Sequence, residues 1–307
     1  MLGTFILLIY ALFGAPAWAA GPISVQDSAG YAVVLQQPAR RVVTLAPHLA
    51  ELVAAAGALD ALVGVSDFSD YPQAVRSVPG IGGATSLSVE AVVRLKPDLV
   101  VAWTSGNPAP KVEQIRRAGI PVFAHEAGQL ADIAASLRAL GILTGNPTQA
   151  EAVARLFEQR LAELRERYAG RPTVRVFYQI WDPPLLTVGG RHFISDVLRS
   201  CGASNVFDTH TLLVPRVSRE AVLFADPPLI VASGMEDERP AWLDAWRRHP
   251  AMAAVRLGRL DFVPARLLQR PTPRLLEGAE RLCERIDAAR SGGPVRTARS
   301  EAQIFQE

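Results

Sequence analysis

The chain has 307 residues, 49% of them apolar and 20% charged, with a net charge of +2. That length and apolar content support one large or two ordinary domains with real cores and exclude a disordered chain. The 32 basic residues, all arginine except Lys96 and Lys111, form no long run, so the basic stripe of a nucleic-acid-binding protein is absent.

The chain opens on an apolar run, Phe5 to Phe13, followed by APAWAA. The run is shorter than the roughly 20 residues that span a membrane, and Ala17-Trp18-Ala19 fits the small-x-small pattern of a signal-peptidase site. Residues 1–20 are therefore expected to be a removable export signal. No Lys or Arg precedes the run, which leaves a retained N-terminal anchor as the alternative. No Cys follows it, so a lipoprotein anchor is excluded.

Ile23 to Leu35 reads as a hairpin turning at Asp27-Ser28-Ala29-Gly30. A strand over 41–45 and a helix over 47–57 come next, the helix ending at a glycine. Strands are then expected over 61–65, 99–103 and 122–124, with helices over 89–95, 111–118 and 129–140. This alternation implies parallel sheets covered by helices. Residues 147–168 contain no internal Gly or Pro, and Val153, Leu156, Phe157, Leu161 and Leu164 recur at helical spacing. They predict one amphipathic helix about 30 Å long. Alternation resumes with strands over 174–180, 229–232 and 261–263, and helices over 192–200, 219–225, 240–249 and 273–289. The tail, 291–307, is poor in apolar residues and is expected to be disordered.

An internal repeat organises this series. SVEAVVRLKPDLVVAW from Ser88 matches SREAVLFADPPLIVAS from Ser218 at a constant offset, and ELVAAAGA from Glu51 weakly matches DVLRSCGA from Asp196. Each half carries the same helix–Pro–strand unit. The predicted fold is α/β: two similar α/β lobes with central, mostly parallel sheets, joined by one long interlobe helix. The expected boundaries are 21–145 for the N-terminal lobe, 146–170 for the helix and 171–290 for the C-terminal lobe.

The repeat places Glu90 and Glu220 at equivalent points, each two residues after a serine suited to cap a helix. A carboxylate in the first turn is stabilised by about 0.3–1 kcal/mol through the helix dipole, which suffices as an explanation. Two acidic points related by a pseudo-two-fold also suit docking to a two-fold-symmetric partner. Phe68, Tyr71, Trp103 and Trp181 fall at strand ends or just beyond, where open α/β sheets bind ligands, and aromatics there suit a large, flat ligand. Pro47 and His48 share that class of position; His48 reads as a structural histidine, a hydrogen-bonding group or a metal ligand. Cys201 and Cys283 are the only cysteines. In an exported chain they suit a disulfide closing a loop of about 80 residues, worth about 4 kcal/mol, with two buried thiols as the alternative. The five histidines lack metal-ligand spacing. No nucleophile elbow, zinc-protease helix or phosphate loop is present, so enzymes of those kinds are not indicated.

The segments RRVVTLAPHLAELVAAAGA, LVGVSDFSDYP, SLSVEAVVRLKPDLVVAW, RVFYQIWDPPLLTVGG, VLRSCGASNVF, RVSREAVLFADPPLIV and RPTPRLLEGAERLC keep their order and spacing. Together they resemble the cobalamin-binding proteins of ABC importers, within the helical-backbone metal-receptor group of periplasmic substrate-binding proteins. The resemblance runs from Arg40 to Ile286. It implies a periplasmic, monomeric carrier that is not an enzyme and has no cofactor. Such a carrier takes cobalamin or a related corrinoid as cargo and delivers it to a permease dimer in the inner membrane. It further implies ligand contacts from Pro47, Tyr71 and Trp103, from an aromatic near Trp181, and from a loop comprising Arg266, Leu267, Leu268, Gln269 and Arg270. Glu90 and Glu220 match glutamates that pair with permease arginines, and Cys201 and Cys283 match a disulfide of the C-terminal lobe. Ala84 and Val214 stand where the family carries tryptophan, and Arg266, Leu267 and Leu268 replace acidic and aromatic residues. These departures leave a ferric siderophore or haem as alternative cargo. A periplasmic enzyme on the same scaffold is the more distant alternative.

Overall fold

The computed structural model describes residues 21–83, 86–233 and 238–292. The expected export signal, Ala84 and the tail beyond residue 292 lie outside them.

The hairpin forms as β1 (Ile23–Gln26) and β2 (Ala32–Leu35), antiparallel, and its turn closes at Gly30 with a φ of 86° that favours glycine. Asp27 ties the hairpin to the sheet edge: its Oδ2 accepts the Ala124 N–H at 3.2 Å. Next come β3 (Val42–Thr44), α1 (Pro47–Ala55), β4 (Leu62–Val65), α2 (Val89–Arg94), β5 (Leu99–Trp103), α3 (Ala109–Arg117), β6 (Val122–His125) and α4 (Ala131–Thr144). The long helix α5 (Pro147–Tyr168) leads to β7 (Val174–Gln179), α6 (Phe193–Ser200), β8 (Ala203–Asn205), α7 (Arg219–Ala225), β9 (Leu229–Ala232), α8 (Ala253–Arg256), β10 (Leu260–Phe262), α9 (Ala265–Leu268) and α10 (Leu275–Arg290).

Two four-stranded parallel sheets result, ordered β4-β3-β5-β6 and β8-β7-β9-β10. Within each lobe the second strand of the chain lies outside the first, followed by the third and fourth, so the repeat read in the sequence extends to the whole sheet. β5 and β9 are its third strands. Their residues from Leu99 to Ala102 and from Leu229 to Ala232 are all buried, as parallel strands covered on both faces must be.

One apolar core runs through both lobes by way of α4, α5 and α10, and each sheet has a smaller cluster on its outer face. The buried stripe of α5 is Ala150, Ala154, Phe157, Leu161, Leu164 and Tyr168. Leu156, counted in the expected stripe, is 58% exposed, and the small Ala150 and Ala154 take the inner face because α4 approaches closely there. A Cβ at Gly141 of α4 would stand 2.2 Å from the Ala150 Cβ, so glycine is what permits the contact. Arg138 of α4 then spans Glu151 and Glu158 of α5, at 2.6 Å each.

Two local expectations change, and one strand, β8, forms where none was expected. Residues Ala241–Arg248 form a 3-10 segment, not an α-helix; Leu243 and Trp246, both fully buried, are three apart and align on one edge at that pitch. β8 carries no apolar alternation. It is held by the buried Asn205, whose Oδ1 accepts the Tyr178 N–H at 3.1 Å and whose Nδ2 donates to the Val188 carbonyl at 2.6 Å. The 266–270 stretch, expected as a loop, begins as the single turn α9. Cys201 at the end of α6 and Cys283 on α10 form the disulfide, 82 residues apart in sequence.

Candidate ligand cleft

The carboxyl ends of both sheets open onto one interlobe space, the position at which parallel α/β sheets bind ligands. A cavity of about 350 Å³ lies there. His48, Trp103, Glu126 and Ala127 line it from the N-terminal lobe, and Ile180, Phe193, Leu213, Val214, Gln269 and Pro271 from the other. Its wall is mostly apolar, with a few polar groups, as a site for a large, partly apolar molecule requires.

Trp103 ends β5 and is held on several sides. Its indole N–H donates to Glu126 Oε1 at 3.3 Å, while Glu126 Oε2 accepts the Ser105 N–H at 2.8 Å. Its backbone N–H donates to Asn107 Oδ1, and the same Asn107 donates to the Leu45 carbonyl at 2.8 Å. A Cβ at Gly106 would fall 1.9 Å from the indole, so the ring needs glycine at that position.

His48 follows Pro47 at the start of α1 and is 4% exposed. Its ring meets Trp103 edge-on at 5.2 Å and His125 at 5.3 Å. Burial, then the neighbouring His125 and Arg270, holds the His48 pKa well below the ordinary imidazole range. Burial lowers His125 to about 4. Both rings are neutral at pH 7. His48 Nε2 and both His125 nitrogens are buried without a hydrogen-bond partner in the structure. His192, also lowered to about 4 by burial, accepts the Ile194 N–H through Nδ1 at 3.2 Å and stacks on Phe193. Among the described residues no group of three or more His, Cys, Asp and Glu side chains is arranged to hold a metal ion.

Beside the cavity lies a hollow of about 270 Å³ that contains Glu51, Tyr71, Thr272, Pro273 and Arg274. Glu51, 3% exposed on α1, crosses between the lobes. It accepts from Arg270 Nη1 at 2.7 Å, from Arg274 Nη2 at 2.8 Å and from the Thr272 hydroxyl at 3.1 Å. Arg270 also reaches Asp70 at 2.6 Å, and the Arg274 guanidinium lies 3.6 Å above the Tyr71 ring.

The structure thus brings His48, Trp103 and Gln269 onto one cavity, and Tyr71 and Arg270 into the cross-lobe network beside it. Pro47 begins α1 and is half-buried, off the cavity wall. Trp181 also stands off the wall, its indole donating to the Pro183 carbonyl at 2.8 Å. Leu267 and Leu268 are 4% and 0% exposed, because α9 turns both inward, and neither lines the cavity. Arg266 is the exposed residue of that turn. Glu51, His125 and Glu126 are not singled out by the sequence. A lone carboxylate inside the apolar helix PHLAELVAA is the available signal for Glu51, since buried carboxylates require partners.

Glu90 and Glu220 are exposed on the first turns of α2 and α7. Ser88 and Ser218 cap these helices identically, each Oγ accepting a backbone N–H at 3.1 Å. Hydrogen bonds from each glutamate's own backbone, then from the serine hydroxyl, lower both carboxyl pKa values. A helix leading into a parallel strand starts on the side of the strand carboxyl ends, so both carboxylates stand on the cleft side of their lobes.

Residues 42–267 match the family model described as periplasmic binding protein. The chain belongs to the periplasmic binding protein family. These proteins bind a small-molecule ligand, work with an ABC transporter and are not enzymes. The vitamin B12-binding protein of Vibrio cholerae serotype O1 is 34% identical over 252 residues, covering 82% of this chain and 91% of that one. The solved structure of the periplasmic vitamin B12-binding protein of Vibrio cholerae superposes with a TM-score of 0.74 at 34% identity, covering 82% of this chain and 98% of that one. A periplasmic haem-binding protein from Pseudomonas aeruginosa superposes with a TM-score of 0.68 at 28% identity, covering 84% and 96%. This periplasmic binding protein therefore shares its two-lobed, parallel-sheet fold with carriers of different cargo.

Proposed function

We propose that this periplasmic binding protein captures cobalamin or a related corrinoid between its lobes and delivers it to the permease dimer of an ABC importer. The observation that carries this reading is the 34% identity to a vitamin B12-binding protein across 82% of the chain. The cavity supports it: Trp103, Ile180, Phe193 and Leu213 offer apolar walls to a macrocycle. His48 and Gln269 supply polar contacts, and Tyr71, Arg270, Trp181 and Pro47 surround the wider cleft. In this reading residues 1–20 direct export, 21–145 and 171–290 are the ligand-holding lobes, 146–170 bridges them, and the mature protein is a periplasmic monomer. Cargo is bound and released without covalent chemistry. Glu90 and Glu220 dock the loaded protein on arginines of the permease.

Calorimetry with cyanocobalamin tests the cargo, with haem and a ferric hydroxamate siderophore as competitors. Saturable cyanocobalamin binding is expected. No binding at high micromolar concentration, or tighter binding of haem or siderophore, removes the corrinoid reading. For docking, the Glu90→Ala/Glu220→Ala protein is expected to lose affinity for the permease in detergent while keeping its affinity for cargo. Loss of cargo binding in that variant contradicts the division of roles.

A further inference from the structure

Among the described residues, Glu126 is the single Asp, Glu, Lys or Arg in the wall of the cavity of about 350 Å³. Burial holds His48 and His192, the two histidines of that wall, below the ordinary imidazole range, so neither brings a positive charge at pH 7. Arg270, beside the cavity, is committed to Glu51, Asp70 and the Phe68 carbonyl. Arg191 and Arg199 border a neighbouring hollow, where Asp132 stands with them.

The wall offers free acceptors. Glu126 Oε1 accepts the Trp103 indole N–H at 3.3 Å, and Oε2 accepts the Ser105 N–H at 2.8 Å. A carboxylate has about four lone-pair sites, so each oxygen keeps one for a further donor. Gln269 is oriented by its neighbour: its Nε2 donates to the Ser233 carbonyl, and its Oε1 receives no donor from any described residue. His192 supplies the complementary group. Its Nδ1 accepts the Ile194 N–H at 3.2 Å, which leaves the ring proton on Nε2.

This pattern fits a carboxamide better than a carboxylate. A carboxamide brings N–H donors and a carbonyl acceptor. A carboxylate brings acceptors only, with a negative charge that meets Glu126 and finds no cation in the wall to offset it. The edge of a corrinoid carries carboxamides, whereas that of haem carries propionates.

We infer that Glu126, with Gln269, is the specificity element of the cleft: its carboxylate receives a carboxamide N–H of the cargo and turns away macrocycles that bear a carboxylate at that place. The inference rests on the corrinoid reading proposed above. Because Glu126 also holds Trp103, the same carboxylate joins the aromatic face of the site to its polar edge.

The test is calorimetry of the wild type with cyanocobalamin and with each of its monocarboxylic acids, made by hydrolysing one propionamide at a time. At least one acid is expected to bind about 10- to 100-fold more weakly than the parent, the range that a hydrogen bond to a charged group commands. In Glu126→Gln that ratio is expected to fall to within about threefold, because a neutral amide both accepts an N–H and donates to a carboxylate. Gln269→Met is expected to weaken the parent by about fivefold and to leave the ratio in place. Parent and acids binding alike in the wild type, or an undiminished ratio in Glu126→Gln, overturns the assignment while the corrinoid reading stands. A wild type that binds no corrinoid, or binds haem more tightly, removes both. The wild-type series involves no substitution, so it tests the assignment even where Glu126→Gln is destabilised by its altered contacts to Trp103 and Ser105.

Discussion

The two lobes share a strand order and a serine-capped helix bearing an exposed glutamate, yet they meet the cleft with opposite chemistry. The N-terminal lobe brings buried His48 against Trp103, with His125 behind it, and the carboxylates Glu51 and Asp70. The C-terminal lobe brings Arg270 and Arg274 across to those carboxylates. The repeated part is scaffold: parallel strands, covering helices and caps. The residues that meet across the cleft come from segments beyond the strand ends, which carry no β-ladder. A duplicated scaffold thereby yields a cleft whose two walls recognise each other.

The largest difference between the lobes is covalent, since only the C-terminal lobe has a disulfide. Replacing Cys201 and Cys283 with serine should cost on the order of 4 kcal/mol in urea unfolding, from the 82-residue separation of the pair. One apolar core runs through both lobes, so a single transition shifted to lower urea is expected. Two separated transitions would show that the lobes unfold independently.

The next effect belongs to the N-terminal lobe. His125 has its pKa lowered from 6.5 to about 4 by burial, so the unfolded chain takes up its proton first as the pH falls. The stability from neutral His125 is full above pH 6.5 and is lost between pH 6.5 and about 4, reaching about 3 kcal/mol. Unfolding measured across that range should flatten in His125→Leu. An unchanged acid slope would mean that the other buried histidines, His48 and His192, dominate acid sensitivity.

A smaller effect falls on cargo. Trp103→Ala should weaken ligand binding by about 2 kcal/mol in calorimetry, as loss of a buried aromatic contact does. An unaltered affinity would shift recognition to the C-terminal wall. The smallest effects sharpen the likeness of the lobes: Ser88→Ala and Ser218→Ala remove the same cap and should each cost about 1 kcal/mol in thermal unfolding. Unequal costs would show that the repeat has diverged in its scaffold as well.

Much of the fold is legible in the residue pattern. The helix over 147–168 and the strands over 99–103 and 229–232 form with the expected limits, because caps, prolines and apolar runs are local signals. β8 is not legible, because a short Ala-Ser-Asn strand is stabilised by the partners of Asn205 and not by its own pattern. The site is legible in part. Strand-end logic points to Trp103 and His48, which the structure puts on one cavity, whereas the inward turn of Leu267 and Leu268 in α9 has no local signal.

By itself the sequence determined the α/β alternation, the duplicated helix–strand unit, the long helix between the halves and the matched positions of Glu90 and Glu220. Each is written in periodicity, capping residues or spacing along one stretch of chain. Only the tertiary structure decided that Glu51 meets Arg270, Thr272 and Arg274, and that His48 and His125 share one buried contact with a tryptophan beside them. Those partners lie far apart in the chain. Burying a carboxylate or an imidazole depends on which loops the sheet order and the lobe packing bring together, and no local pattern encodes that.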